Sequence, residues 1–258
     1  MAVFPPLTTP MGFRLLLAEA SLFLDLDGTL VEFEDDPAAV RASPAVQLAL
    51  GRAQAALLGR LAILSGRSIA SVDEVLGGAV VAVAGVHGLQ QRTPVLGVME
   101  TPPHPGIAEV MSTLEAFAKA ERRLRLEPKG QSVAIHFRQA PQVETALEEL
   151  ADRLAKGSQL EVQRGLMVVE LRSPGPDKGA ALTSFMGLPP FAATRPIFVG
   201  DDLTDESGFV AAQAMGGLGI AVGPREESAA MGRLSDPAAV LAWLHSSLDA
   251  GVFAAPAA

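Results

Sequence analysis

The 258-residue sequence contains no cysteine and few basic residues. The missing cysteines exclude a disulfide-stabilised scaffold and a thiol nucleophile, and they fit a reducing cytoplasm. Only 20 basic residues face 29 acidic ones, which leaves a formal charge of −9. This balance argues against nucleic acid or an anionic membrane surface as a partner. Lysine occurs only four times, at Lys119, Lys129, Lys156 and Lys178.

The sequence also lacks the patterns of a signal peptide and of a membrane span. Pro5, Pro6 and Pro10 interrupt the first twenty residues before a long apolar core can form. The longest uncharged window, Ser207 to Pro224, contains five glycines, so a helix followed by a buried strand explains it better than a membrane span. We therefore expect a cytoplasmic protein without a membrane partner. The sequence leaves the oligomeric state open, and a monomer is compatible with it.

The sequence does contain an apolar run, Ser21 to Leu24, followed by Asp25-Leu26-Asp27-Gly28-Thr29. This pattern predicts a buried strand that opens into a tight turn at the glycine. Asp25 and Asp27 then lie at one strand end, where one carboxylate can act as a nucleophile and the other as a general acid and base. Neighbouring carboxylates repel each other unless a cation lies between them, and hard oxygen ligands favour Mg²⁺.

Two further segments carry groups that suit a phosphoryl substrate. Ser65-Gly66-Arg67 follows a second short apolar strand, and Lys178 begins a helix after a proline-rich loop. The Ser65 hydroxyl and the Gly66 N–H can bind phosphoryl oxygens, and Lys178 can neutralise charge that develops on them. The pattern indicates phosphoryl transfer.

A fourth segment, Gly200-Asp201-Asp202, follows the apolar strand predicted over Pro196 to Val199. Because the carboxyl ends of parallel strands share one edge of a sheet, we expect these carboxylates near Asp25. Asp201 completes the predicted metal site. Asp202 is either a further ligand or an acceptor beside the ligands.

The order of the predicted elements divides the chain into two modules. Alternating strands and helices predict an α/β, Rossmann-like parallel sheet for residues 1–93 and 173–258. Residues 94–172 instead read as helix, two strands, helix, two strands, which predicts an inserted α+β domain. Proline-flanked links suggest hinges around Gln91–Pro94 and Ser173–Gly175, about which the insert would open and close.

The insert's strands alternate between apolar and polar residues. In Ser132 to Arg138, His136 and Arg138 share the face opposite Val133, Ile135 and Phe137. If the helices cover the apolar face, the other face displays polar groups. Such a face is either simply solvated or a surface that binds a ligand, and its mixed charges suit sugar hydroxyls.

With these segments, the chain resembles the haloacid dehalogenase superfamily of phosphatases. The four segments match its four motifs in order, and the α+β insert matches its larger type of cap domain. More narrowly, the chain resembles the trehalose-6-phosphate phosphatase family. That resemblance rests on LDLDGTL, SGR, a glycine-x-His-Gly, a Glu-x-Lys pair with His-x-Arg, and GDDxTDE, which is the most specific of them.

The resemblance implies a Mg²⁺-dependent phosphatase that hydrolyses trehalose 6-phosphate through an aspartyl-phosphate. It implies that Asp25 and Asp201 bind Mg²⁺ by side chain and Asp27 by its carbonyl, and that Ser65, Gly66 and Lys178 hold the phosphate. The cap residues implied to recognise the distal glucose are Glu127, Lys129 and Glu170. The residues implied to line the closed site are Arg67, His87, His136 and Arg138.

Several alternatives stay open. His87 can equally be a packed residue or a hydrogen-bond partner of a loop. A phosphatase of the same fold could act on another sugar phosphate, such as sucrose phosphate or a glucosyl- or mannosylglycerate phosphate. A phosphomutase fits less well, because it must return the phosphoryl group to sugar. A non-catalytic sugar-phosphate sensor is disfavoured by the presence of both Asp25 and Asp27.

Overall fold

The computed structural model describes residues 12–34, 36–165, 167–225 and 227–256. Its strands are β1 Arg14–Leu16, β2 Ala20–Leu24, β3 Leu61–Leu64, β4 Ala82–Gly85, β5 Gln90–Thr93, β6 Gly97–Glu100, β7 Arg125–Pro128, β8 Ser132–His136, β9 Glu161–Gly165, β10 Val168–Arg172, β11 Arg195–Gly200, β12 Leu218–Val222, β13 Gly232–Leu234 and β14 Val252–Ala254. Its α-helices are α1 Pro44–Ala56, α2 Ile69–Leu76, α3 Gly106–Ala120, α4 Glu144–Ser158, α5 Lys178–Met186, α6 Glu206–Ala214 and α7 Pro237–Ala250.

The chain forms two compact units. The first contains the residues up to Met99 and those from Pro176 onward, and the second is Glu100–Gly175. In the first unit, an eight-stranded sheet has the order β13-β12-β11-β2-β3-β4-β5-β6. The strands from β13 to β4 run parallel, whereas β5 pairs antiparallel to β4. This confirms the α/β, Rossmann-like core.

Strand β2 shows why this sheet is covered on both faces. All five of its residues are buried. Leu22 and Leu24 belong to the apolar cluster that contains residues of α1, α2 and α7, whereas Phe23 packs with Phe185 of α5 in a second cluster. Successive side chains of a strand point to opposite faces, so a strand with buried apolar residues on both faces requires helices on both sides.

Helix caps in this unit follow the sequence closely. Ser43 caps α1 ahead of Pro44, Asp177 caps α5, and Asp236 caps α7. Each capping side chain accepts a hydrogen bond from a backbone N–H three residues on, which satisfies a donor that the helix leaves unpaired. The cap on α5 fixes where Lys178 begins its helix.

Several strand pairings were not predicted. Residues after Gln91 were interpreted as a boundary region because of their prolines, yet β5 and β6 extend the core sheet. The segment after Gly251 was interpreted as lacking any pattern, but β14 pairs antiparallel with β1. That pairing joins segments nearly the whole chain apart, so no local pattern indicates it; Ala257 and Ala258 lie outside the described residues.

The second unit contains the predicted order of helix, two strands, helix, two strands. Its antiparallel sheet has the order β7-β8-β10-β9. Helices α3 and α4 cover one face, where Leu114 and Leu147 pack in one cluster with Val133, Ile135 and Phe137. The alternation along β8 therefore leaves His136 on the opposite face, as predicted.

No helix in the described parts of the chain is long and apolar enough to cross a membrane.

Candidate active site

The parallel sheet brings the predicted core residues to one edge. Asp25 follows β2, Ser65 follows β3 and Asp201 follows β11. Strand β2 lies between β11 and β3 in the sheet, so three adjacent strands each end on a functional side chain. This is the edge at which open α/β sheets bind ligands.

Lys178 contacts two carboxylates of the site. Its ammonium donates to Asp25 Oδ1 at 2.8 Å and to Asp205 Oδ1 at 2.6 Å. All three residues are at most 4 % exposed. Burial alone would lower the pKa of Lys178, but Asp205 and Asp25 outweigh it and raise that pKa above its ordinary value. Lys178 is therefore a permanently charged partner of Asp25.

The carboxylates of Asp25, Asp201 and Asp205 approach one another within 4.8 Å. Burial raises the pKa of Asp25 well above its ordinary value; Lys178 opposes this, and the charges of Asp205 and Asp201 add to it. Burial also raises the pKa of Asp201 to about 7, with Asp205 adding to the rise. Three carboxylates against one ammonium leave an excess of negative charge, so the site lacks positive charge when all of them are ionised.

The donor set fits a hard divalent cation. Every donor is a carboxylate oxygen, the ligand type that Mg²⁺ prefers. The absence of a side chain at Gly28 lets the Asp201 carboxylate lie close to the turn after Asp25, because a Cβ on Gly28 would lie 2.2 Å from Asp201 Oδ2. Thr29 Oγ1 donates to Asp201 Oδ1 at 3.2 Å and orients that carboxylate. Asp25 and Asp201 are thus among the side chains that could hold such an ion, and Asp205 is the third carboxylate of the group.

Asp202 does not join this cluster, whereas Asp205 does. The Asp202 side chain caps the 3-10 turn Leu203–Asp205. Asp205 Oδ2 accepts the backbone N–H groups of Asp201 and Asp202, both at 2.9 Å. Sequence reasoning missed Asp205, although the spacing of Asp202 and Asp205 is that of a capping box and was a usable signal.

Glu206 is a second residue that sequence reasoning missed. It begins α6, is buried, and accepts hydrogen bonds from Ser228 Oγ at 2.8 Å and from the Ala229 N–H at 2.6 Å. Arg225 also pairs with it and reaches the carbonyl oxygen of Asp202. Glu206 therefore holds the loop after β12 close to the loop that joins β11 to α6 and contains Asp201.

Ser65 and Gly66 lie against His87. The Ser65 carbonyl accepts the His87 N–H at 2.9 Å, and a Cβ on Gly66 would lie 2.7 Å from the His87 ring. His87 and Val86 both have positive φ, at 54° and 47°, which is unusual for residues other than glycine. The loop after β4 is thus held under strain against the predicted phosphate-binding segment, and His87 is 7 % exposed.

Arg67 binds Asp27 with two parallel hydrogen bonds. Its Nε donates to Asp27 Oδ2 and its Nη2 to Asp27 Oδ1, both at 2.7 Å. Arg67 is 7 % exposed. The structure therefore places its guanidinium on the predicted general acid.

In the second unit, four of the predicted residues form one cluster. Lys129 Nζ donates to Glu170 Oε2 at 2.9 Å and lies 3.8 Å from Glu127 Oε2. His136 Nε2 lies 2.9 Å from the same Glu127 oxygen. Burial would raise the pKa of Glu127, but Lys129 and His136 outweigh it and lower that pKa. Arg138, the fifth, is half-buried in the turn after β8.

Comparisons with known proteins agree on one family. The family profile described as trehalose-phosphatase matches residues 23–236. A Sinorhizobium fredii protein described as a probable trehalose-phosphate phosphatase is 36% identical over 206 residues, which cover 79% of this chain and 78% of that protein. The Escherichia coli trehalose-6-phosphate phosphatase is 35% identical over 235 residues, covering 89% and 86%. The C-terminal domain of the Candida albicans trehalose-6-phosphate phosphatase has the same fold, with a TM-score of 0.79 at 22% identity over 90% of this chain and 92% of that one.

Proposed function

Because this chain belongs to the trehalose-phosphatase family of the haloacid dehalogenase superfamily, and is therefore a phosphoric monoester hydrolase, we propose that it hydrolyses trehalose 6-phosphate to trehalose and phosphate. The observation that carries the proposal is the buried pair of Asp25 and Lys178 beside Asp201. The substrate is supported by the names of the two bacterial relatives. We also propose a cytoplasmic location, which the absence of cysteine favours.

In the first step, a carboxylate oxygen of Asp25 attacks phosphorus, and the bond between phosphorus and the sugar oxygen breaks. Asp27 gives a proton to the leaving oxygen, so that the sugar departs as a neutral alcohol. Lys178 opposes the rise that burial causes in the pKa of Asp25 and so favours its ionised form, and it compensates charge on the phosphoryl oxygens. The product of this step is an aspartyl-phosphate.

In the second step, water attacks phosphorus and Asp27 takes its proton, which releases phosphate and restores Asp25. The Ser65 hydroxyl and the Gly66 N–H hold the phosphoryl oxygens in both steps. The side chains of Asp25 and Asp201 and the Asp27 carbonyl would hold Mg²⁺, which would supply positive charge to stabilise the transferring phosphoryl group. Asp205 fixes Lys178 and the Asp201 loop.

For the sugar, we propose that Glu127, Lys129 and Glu170 bind its hydroxyls, with His136 and Arg138 of the same unit completing this surface. The support is the cluster itself: the Lys129 ammonium lies 2.9 Å from Glu170 and 3.8 Å from Glu127, so the three groups offer both donors and acceptors close together. Lys129 and Glu170 are buried enough that water competes poorly for these groups.

The experiment that tests this function is phosphate release from a panel of sugar phosphates with Mg²⁺ and with EDTA. The panel holds trehalose 6-phosphate, sucrose 6-phosphate, glucose 6-phosphate and glucosylglycerate phosphate. We expect a strong preference for trehalose 6-phosphate that EDTA abolishes. If the metal-dependent activity were highest on another ester, the proposed mechanism of the core residues would stand. The assignment of trehalose 6-phosphate as the substrate would be wrong.

Cap variants sharpen this test. Glu127→Gln should lower kcat/KM for trehalose 6-phosphate by about 10-fold or more, because a group that binds a substrate hydroxyl would be altered. Asp152→Asn is the matched control in the same unit, since Asp152 pairs with Arg164 on an exposed surface. Equal effects of the two variants would count against sugar binding by Glu127.

A further inference from the structure

Asp27 and Arg67 form a charged contact with two hydrogen bonds in the core site. The Arg67 guanidinium uses Nε and Nη2 on the two oxygens of Asp27, both at 2.7 Å. Two parallel hydrogen bonds fix the plane of a carboxylate as well as its position, which a single contact does not. The Asp27 side chain is still 25 % exposed, so it stays open to a ligand while Arg67 holds it.

Arg67 is itself held in place at several points. Its Nη1 donates to the Pro37 carbonyl at 2.8 Å and to Ser71 Oγ at 3.3 Å. Its backbone N–H donates to Ser65 Oγ at 3.1 Å, and its carbonyl accepts the Val86 N–H at 2.8 Å. A buried side chain with this many anchors cannot swing toward a sugar without losing them. Arg67 is thus a fixed support for Asp27.

We propose that Arg67 is the positioning residue of the general acid: it holds the Asp27 carboxylate in the plane from which Asp27 passes its proton to the leaving oxygen. This inference rests on the proposed function of Asp27. The two N–H groups take one lone pair on each oxygen and leave another on each, so the carboxyl group can still carry a proton. The resemblance to the family had implied that Arg67 lines the site, whereas this geometry assigns it a role through Asp27.

The test compares two esters without any sugar. Phenyl phosphate releases a phenol like that of tyrosine, with a pKa of about 10, and its departure needs a proton. p-Nitrophenyl phosphate releases a far more acidic phenol that departs without one. The quantity to measure is kcat/KM, because it reports the steps up to formation of the aspartyl-phosphate and excludes its hydrolysis.

We expect Arg67→Gln to lower kcat/KM by about 100-fold for phenyl phosphate and by less than about 5-fold for p-nitrophenyl phosphate, as misplacement of an acid would. Arg67→Lys keeps the charge but loses the paired geometry, so it should show the same selectivity in weaker form. Asp27→Asn should likewise lower kcat/KM more for phenyl phosphate than for p-nitrophenyl phosphate. Adding Arg67→Gln to Asp27→Asn should change little, because the two residues act as one unit.

The matched control is Arg60→Gln. Arg60 is 8 % exposed and donates to the carbonyls of Ala20 and Leu17, both at 2.9 Å, so it is a buried arginine with a structural role. Its loss should affect both esters equally. Equal losses on both esters for Arg67→Gln and Arg67→Lys would overturn the inference, as would independent effects of Arg67→Gln and Asp27→Asn.

The same data separate this inference from the proposed function. A wild-type enzyme that hydrolyses the phenyl esters but not trehalose 6-phosphate would overturn the substrate and leave the role of Arg67 standing. If Asp27→Asn lowered kcat/KM equally for both phenyl esters, Asp27 would not be the general acid. The proposed role of Arg67 would then fail as well.

Discussion

Gly28→Ala should impair the metal site with little effect on the rest of the fold. Gly28 has φ of +80° in the turn that follows Asp25-Leu26-Asp27. A Cβ at this position would lie 2.2 Å from Asp201 Oδ2 and 2.7 Å from Phe33 Cε2. The added methyl group therefore meets a predicted metal ligand directly.

The losses of stability and activity that we expect for Gly28→Ala follow from two separate effects. The left-handed conformation costs about 1–2 kcal/mol for any residue with a Cβ. The contact is an additional effect: real Cβ atoms essentially never approach closer than 3.0 Å, so Asp201 or the turn must move by at least 0.8 Å, the difference between 3.0 and 2.2 Å. A displacement of about 1 Å at a catalytic centre can cost about 100-fold in rate.

The assay is kcat/KM for trehalose 6-phosphate as a function of Mg²⁺ concentration, together with thermal unfolding. We expect about a 100-fold loss of kcat/KM, a higher half-saturating Mg²⁺ concentration and a Tm lower by about 2–8 °C. The matched control is Gly251→Ala at the end of α7. Gly251 has φ of +69° and no atom within 4 Å of its added Cβ, so that variant carries the strain without the contact.

Gly251→Ala should therefore lower Tm by a similar amount and keep its dependence on Mg²⁺. If Gly28→Ala lost no more activity than Gly251→Ala, the close approach of Asp201 to the turn at Gly28 would not matter for activity. The proposed link between this contact and the metal site would then be wrong.

Three further predictions concern individual charges. Asp25→Asn should reduce phosphate release by at least about 1,000-fold without lowering Tm, because burial already disfavours the ionised carboxylate; substantial residual turnover would refute the nucleophile. The pKa of Asp201 is about 7 against an ordinary 3.8, so the free energy of unfolding in EDTA should fall by roughly 1–4 kcal/mol as pH rises from about 4 to about 7. Urea unfolding checks this, and Asp201→Asn should flatten the profile. Lys129→Met should lower the free energy of unfolding by about 3 kcal/mol, because it removes the ammonium that pairs with the buried Glu170 carboxylate, and adding Glu170→Gln should restore much of that loss in urea unfolding.

The backbone of the core site could be predicted because each part has a local signature. Asp25, Ser65 and Asp201 each follow a run of apolar residues long enough for one buried strand. Parallel strands place their carboxyl ends at one edge, so the order of the segments is enough to bring these residues together. The face of β8 that carries His136 could be predicted for the same reason, since a strand has a period of two.

Hydrogen-bond partners could not be predicted in this way. Arg67 lies at the correct strand end, but its sequence position does not show that its Nε and Nη2 would both donate to Asp27. Asp202 and Asp205 are the same residue type three positions apart, and only the 3-10 turn between them decides which one faces inward. Such choices depend on a few backbone angles in a loop, which composition and periodicity do not determine.

Asp205, which was not predicted, makes contacts that fix the positions of several predicted site residues. Its two oxygens bind Lys178 on one side and the N–H groups of Asp201 and Asp202 on the other. Lys178 in turn binds Asp25, so one buried carboxylate links Asp25, the proposed nucleophile, to Asp201, the proposed metal ligand. Gly200 allows this, because a Cβ there would lie 2.4 Å from the Asp205 carboxyl carbon. Since Asp205 is fully buried and both its oxygens are bonded, the position of Asp25 relative to Asp201 is set by Asp205 as much as by the strands that carry them.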